Sequence, residues 1–195
     1  MASPSLLASE HEHVLAVQDE LFYEIVNGQR VELPPMSAYA TWVASRLHGR
    51  LGPYAEDKGI GMSVAEMLFV LDAEHDLRRR PDVAFVSTAR WPLDRVLPRT
   101  GDWDVVPDLA IEVISPNDVF KDVLAKVREY FHYGVQVVWV IAPEEQQAYV
   151  YDSPVQVRIL TGQDELTGGE VVPGFRMPLV HLFQHADAPT VAPAS

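Results

Sequence analysis

Two Pro-Asp steps open apolar runs in this chain, PDVAFV at 81–86 and PDLAIEVI at 107–114. In the second run the two-residue period of a β-strand puts Asp108, Ala110 and Glu112 on one face, and Leu109, Ile111 and Val113 on the other. A carboxylate in mid-strand among Ile111, Val113 and Ile114 needs a partner. An arginine or loop amides would satisfy Glu112 structurally, whereas a metal ion would make it a site. Asp108 lies about 13 Å along the strand, at ~3.3 Å per residue, too far to share one ion with Glu112. Asp82, expected on the adjacent strand, is the acid that could share it. Oxygen ligands about 2.0–2.6 Å from a hard cation would draw the two carboxylates together, and their repulsion would favour binding it. Asp108 has a plainer alternative as turn chemistry at a strand start.

A cation of the chain's own is expected from the next segment. The run SPND at 115–118 suits a helix entry, and the helix that follows carries Asp122 and Lys126 one turn apart, with Tyr130 one turn further on. Lys126 is the amine expected to aim at the acids; the alternative is a surface ion pair with Asp122. Arg78, Arg79 and Arg80 precede Pro81-Asp82 and form a local positive run. It could grip a phosphate backbone beside the metal, or it could be a solvated loop relieving the charge of Asp72, Glu74 and Asp76. His11 and His13 form an HxH pair in the leader and read as incidental.

The elements that must position these groups are legible in outline. FYEIVNGQRVEL, residues 22–33, reads as a hairpin turning at Asn27-Gly28. Ser37 caps a helix with apolar residues Trp42, Val43, Leu47 and Leu51 at helical spacing, limited by Pro53 and Gly59. Strands are expected at 60–71, 83–86 and 109–114, with a long loop over 87–106. A helix over 117–133 then ends at Gly134 and feeds the buried strand VQVVWVIA at 135–142. Strand, helix and strand over 109–142 make a βαβ unit, so the sheet is at least partly parallel. A second hairpin joins 147–151 to 155–160 through Asp152, Ser153 and Pro154. The fold class is therefore α/β, a mixed sheet flanked by helices, with hairpins towards both ends.

Composition narrows the chemistry. The 195 residues, 48% hydrophobic, suffice for one sizeable core and read as a leader at 1–10, a single domain at 11–185 and a flexible tail at 186–195. With no cysteine, thiolate nucleophiles, disulfides and cysteine zinc sites are excluded, and any metal must sit on oxygen or imidazole; magnesium or manganese fits best. No segment approaches the roughly 18 apolar residues of a membrane span, so a cytoplasmic protein is expected. The formal charge of −13 argues against tight nonspecific binding to nucleic acid, although a local basic groove is compatible with it.

The ordered segments YEIVNGQRVELPP (23–35), RPDVAFV (80–86), PDLAIEVISP (107–116) and DVLAKVREYFHYGVQVVWVIAP (122–143) resemble the Uma family, labelled restriction endonucleases, over roughly residues 15–182. The resemblance implies a PD-(D/E)xK restriction-endonuclease-like core, in which an Asp and a Glu hold Mg²⁺ (or Mn²⁺) and a Lys assists an activated water. Asp82 matches the Asp and Glu112 the Glu. Ile114 stands where the simple motif has lysine, and Lys126 matches the lysine that this family places on the following helix. Asp108 and Glu24 also fall in matching segments and are secondary site candidates. The expected function is metal-dependent hydrolysis of DNA phosphodiester bonds. Its rival is a non-catalytic, homodimeric interaction module on the same scaffold, using the region of Trp139 and Tyr149 to Tyr151. A metal-free glycosidase working with two carboxylates is the third class, and nothing marks a sugar site.

Overall fold

The computed structural model describes residues 22–99, 101–116 and 118–184; the expected leader (1–10) and tail (186–195), the HxH pair and Asn117 lie outside them. Its centre is a six-stranded sheet in the order β10-β9-β8-β7-β6-β3, formed by β3 (Gly61–Ala65), β6 (Val83–Ser87), β7 (Leu109–Val113), β8 (Val137–Ala142), β9 (Gln147–Ser153) and β10 (Gln156–Thr161). Strands β7 and β8 run parallel, joined by helix α2 (Phe120–His132), and every other pair in this sheet is antiparallel. The sheet is thus mixed and flanked by helices, as the βαβ spacing requires.

Strand alternation sorts the core into two layers. Leu109, Ile111 and Val113 of β7 enter one layer with Val43, Leu47 and Leu51 of helix α1 (Ala38–Lys58), while Ala110 enters the other with Val127 and Tyr130 of α2. A second, four-stranded sheet covers that other side in the order β2-β1-β5-β4, made of β1 (Tyr23–Val26), β2 (Gln29–Glu32), β4 (Phe69–Asp72) and β5 (Leu77–Arg79). A two-stranded ribbon, β11 (Glu165–Thr167) with β12 (Arg176–Pro178), and the short helix α3 (Leu179–Phe183) complete the α1 side.

Local chemistry explains the boundaries. The hairpin β1–β2 turns where Asn27 and Gly28 both take positive φ, 52° and 73°, the combination a two-residue turn of this type demands. Ser37 accepts from the Ala40 amide at 3.1 Å to start α1, and Gly59, at φ 61°, closes it. Several expected boundaries shift. Pro53 lies inside α1 and does not limit it: its ring sits on the exposed face, while Leu51 and Ala55 hold the helix to the sheet through the proline. The single strand expected over 60–71 is two strands in different sheets, β3 and β4, broken at Glu66, whose φ of 53° turns the chain. The arginine run is not a loop, since Arg78 and Arg79 belong to β5. Helix α2 starts at Phe120 because the Asp118 carboxylate holds the Ser115 amide at 2.6 Å in a turn ahead of it. Ser115, expected to help cap α2, instead accepts from the Ser37 amide at the entrance to α1. The second hairpin turns at Pro154-Val155, one residue later than expected; Trp139 is fully buried, as expected of the strand over 135–142, so it is not open to the homodimer contact that the interaction-module reading put there.

Candidate active site

Glu112 is the second residue of β7, after Ala110, on the face that looks into the layer of Ala84, Ala110 and Val140, where it would lack a polar partner. Helix α2 provides two. Lys126 donates to Glu112 Oε2 at 3.0 Å, and Tyr130, one turn later, donates its hydroxyl to Oε1 at 2.6 Å. The i, i+4 spacing of Lys126 and Tyr130 lets one helix face hold both oxygens of one carboxylate. Lys126 does not pair with Asp122; its second contact is Glu24 Oε1, also at 3.0 Å.

Glu24 is 1% exposed on β1, so its carboxylate faces inward. Its Oε2 accepts from Arg79 Nη1 at 2.5 Å and its Oε1 from the Arg80 amide at 3.1 Å. Arg79 in turn donates from Nε to Glu129 of α2 at 2.7 Å. A chain of charges, Glu129–Arg79–Glu24–Lys126–Glu112, therefore links β5, β1, α2 and β7 in the buried layer between the two sheets. Arg80 donates to the carbonyl oxygens of Tyr23 and Glu66 and lies over the Tyr23 ring, and Arg78 pairs with Asp76 and Asp102. The guanidinium groups of Arg78 and Arg79 are thus occupied by the protein's own carboxylates.

Asp82, just before β6, accepts from the Val113 amide at 2.5 Å through Oδ2, which fixes it beside the end of β7 that carries Glu112. Asp108 sits at the other end of β7. It accepts from the Ser87 amide at 2.7 Å, from Gln136 at 2.6 Å and from Arg90 at 2.8 Å, and the structure does not bring it to Glu112.

The electrostatics separate these acids. Burial, and then the charge of Glu112, push the Asp82 carboxyl well above the ordinary carboxylate range. Burial also raises Glu112, with Glu24 adding to it and Lys126 and Tyr130 opposing. Glu24 goes the other way: burial opposes its charge, but Lys126, Arg79 and the Arg80 amide together hold it below its ordinary value. Burial works against Lys126 too, yet Glu112 and Glu24 keep its ammonium above the usual lysine range. Glu66 is a further acid of this region that periodicity did not single out; burial raises its carboxyl, and Glu112 adds to the shift. Its only local signal is a non-glycine positive φ, which cannot be read from residue type. Tyr130 and Glu129 were visible as positions on α2, but their partners lie in distant strands.

Asp82 and Glu112 offer hard oxygen donors, and each is destabilised as an anion by burial, the condition that a divalent cation relieves. Among the described residues no group of three or more His, Cys, Asp or Glu side chains converges as a metal cluster. Two carboxylates are the donor set of a magnesium-type ion completed by water and substrate oxygens, and are too few for an all-protein cage.

A family model described as "Uma2: Putative restriction endonuclease" matches residues 8–180. No curated protein matches the sequence. Among solved structures the chain is similar to a crystal structure described as a putative nuclease belonging to DUF820 from Anabaena variabilis. The TM-score is 0.71 at 18% identity, covering 84% of this chain and 90% of that one; at that identity the likeness bears on the fold alone.

Proposed function

The chain belongs to the Uma2 family, described as putative restriction endonucleases, and on that premise we propose that it is a metal-dependent endonuclease hydrolysing DNA phosphodiester bonds. The observation that carries this reading is the contact of Lys126 Nζ with Glu112 Oε2 at 3.0 Å, on the strand end beside Asp82. It assembles two acids and an amine from three separated segments. In this reading Asp82 and Glu112 would hold Mg²⁺ or Mn²⁺, which when bound would neutralise charge at the phosphoryl oxygens and lower the pKa of a water. Tyr130 orients Glu112. Lys126 is held as an ammonium by two carboxylates, so it serves as an electrostatic clamp on the pentacovalent phosphorane and not as the base that takes the proton. Glu24 and Arg79 aim Lys126 from behind. Asp108 has no part in the chemistry. Arg80, whose guanidinium holds the carbonyl oxygens of Tyr23 and Glu66 in place of a carboxylate, is the residue of the arginine run that keeps its positive charge for a phosphate.

A second reading, a non-catalytic module on a nuclease-like scaffold, is favoured by one observation, the commitment of Arg78 and Arg79 to internal carboxylates in a chain of charge −13. Retention of the acid, acid and amine set is what it leaves without a purpose. We further propose a cytoplasmic homodimer with one nuclease-like domain over 11–185; no helix among the described residues is long and apolar enough to cross a membrane.

The test is incubation with linear, circular and single-stranded DNA in Mg²⁺ or Mn²⁺, with and without chelator. Cutting should require the metal and fall at least about 100-fold in each of Asp82→Asn, Glu112→Gln and Lys126→Met. No cleavage of any substrate by folded wild type would favour the interaction module, and undiminished cutting by Glu112→Gln would place the chemistry elsewhere.

A further inference from the structure

The two larger sheets have four outer strands, β2 and β4 in one and β10 and β3 in the other. An outer strand presents unpaired amides and carbonyls that invite another strand, and proteins block such edges with charge, bends or cover. On β2 the pair Arg30–Glu32 supplies charge. On β4 the Val70 amide donates to Trp103 and the Trp103 amide to Leu68, so the 88–106 loop covers it. Strand β3 runs straight into Glu66, whose positive φ bends the chain out of strand geometry.

β10 is guarded more lightly: a register irregularity against β9 lies between Gln156 and Val157, and its one charged residue, Arg158, is paired with Asp152 of its own chain, while the strand is six residues long and contains no proline. Leu160 packs against the core, but Val157 is 41% and Ile159 54% exposed, and Val155 in the preceding turn is 93% exposed.

We propose that β10 is the contact strand of a homodimer, pairing antiparallel with β10 of a second copy about a two-fold axis normal to the sheet and fusing two six-stranded sheets into one. The axis keeps each face on its own side, so a residue can oppose only one an even number of positions away. Of the registers this allows, one places Val157 against Val157 of the second copy and Val155 against Ile159 twice, on one face, with Gln156 opposite Arg158 twice on the other. A shift to the next register centres the axis on Arg158 and sets the two guanidinium groups against each other, which is unfavourable. The partner that suits this strand in backbone and apolar pattern, without setting like charges directly opposite, is therefore the same strand. The surface lies three strands from Glu112 in the sheet order and does not depend on the nuclease reading.

The cysteine-free sequence makes the test clean. Sedimentation of the full-length chain should show a monomer–dimer equilibrium, and Val157→Lys and Ile159→Lys should each weaken it at least about tenfold. Both positions are exposed, so unchanged circular dichroism and melting temperature are expected alongside. Val157→Cys should be captured as a dimer by a short bismaleimide, while Val31→Cys, on the charged edge β2, should not. A wild-type chain that stays monomeric at high concentration, or a dimer that both lysine variants leave intact, overturns the proposal.

Discussion

At Asp82 burial and the charge of Glu112 together favour the protonated carboxyl in the fold, and this makes the site measurable without any substrate. A carboxyl group whose folded pKa lies above its ordinary value of 3.8 contributes stability that is full below 3.8 and is lost as pH rises through the raised value. Glu24, held below its ordinary 4.5, contributes stability in the opposite sense, present above 4.5 and lost as pH falls through its lowered value. Metal-free wild type should therefore melt progressively lower than Asp82→Asn as pH is raised from acid to neutral, in thermal scans at matched ionic strength. Glu24→Gln should show its largest deficit at neutral pH. Added Mg²⁺ should close the gap from the wild-type side only, by about 2.7 kcal/mol when the ion is at 100 times its Kd. A wild type that keeps pace with Asp82→Asn across that range would mean that Asp82 is not under this strain. Lys126→Met leaves Glu24 and Glu112 facing one another without a counter-charge, and urea titration should show a loss of about 3 kcal/mol. Asp82 and Glu112 are thus expected to cost stability, and Lys126 and Glu24 to supply it.

Strand β5 and helix α2 set the geometry at the next scale. Arg79 spans from β5 to Glu24 on β1 and Glu129 on α2, so a single planar guanidinium registers the small sheet against the helix that carries Lys126 and Tyr130. A lysine at that position has one donor head and cannot reach both carboxylates in the same fork. Arg79→Lys should lower unfolding stability by about 3 kcal/mol. It should also raise amide hydrogen exchange in β1 more than in β8. Exchange rising equally in both strands would show that Arg79 supports the whole fold and not this particular joint.

Across the whole molecule, a charge of −13 must be reconciled with a polyanionic substrate. With Arg78 and Arg79 held internally, few cations of the arginine run beside Asp82 are left to meet phosphates. Binding of DNA in the presence of Ca²⁺, which need not support cutting, should depend only shallowly on salt. About two released counterions would give a slope near −2 in log K against log salt. A slope of −6 or steeper in a filter-binding series would reveal a basic track beyond the arginine run. Self-association follows the opposite rule: two chains of like charge repel, so screening should strengthen a dimer formed through the apolar edge of β10.

Much of the fold follows from short-range chemistry and is legible in the sequence alone. Asn27-Gly28 dictates a hairpin turn, Ser37 and Gly59 bound α1, and the alternation of 109–113 assigns its two faces. Parallel pairing of β7 with β8 follows from the helix between them. Which carboxylates meet is a different kind of fact. Asp82 and Asp108 stand in nearly identical local settings, after a proline and before an apolar strand, yet the antiparallel pairing of β6 with β7 sends them to opposite ends of the sheet. The arginine run looked like one basic patch, but strand alternation in β5 and the position of the small sheet turn Arg79 inward to Glu24 and Glu129. Turn chemistry and periodicity depend on residues within a few positions of one another and survive without context. The convergence of Glu24, Asp82, Glu112 and Lys126 depends on sheet order and strand direction, which only the folded chain decides.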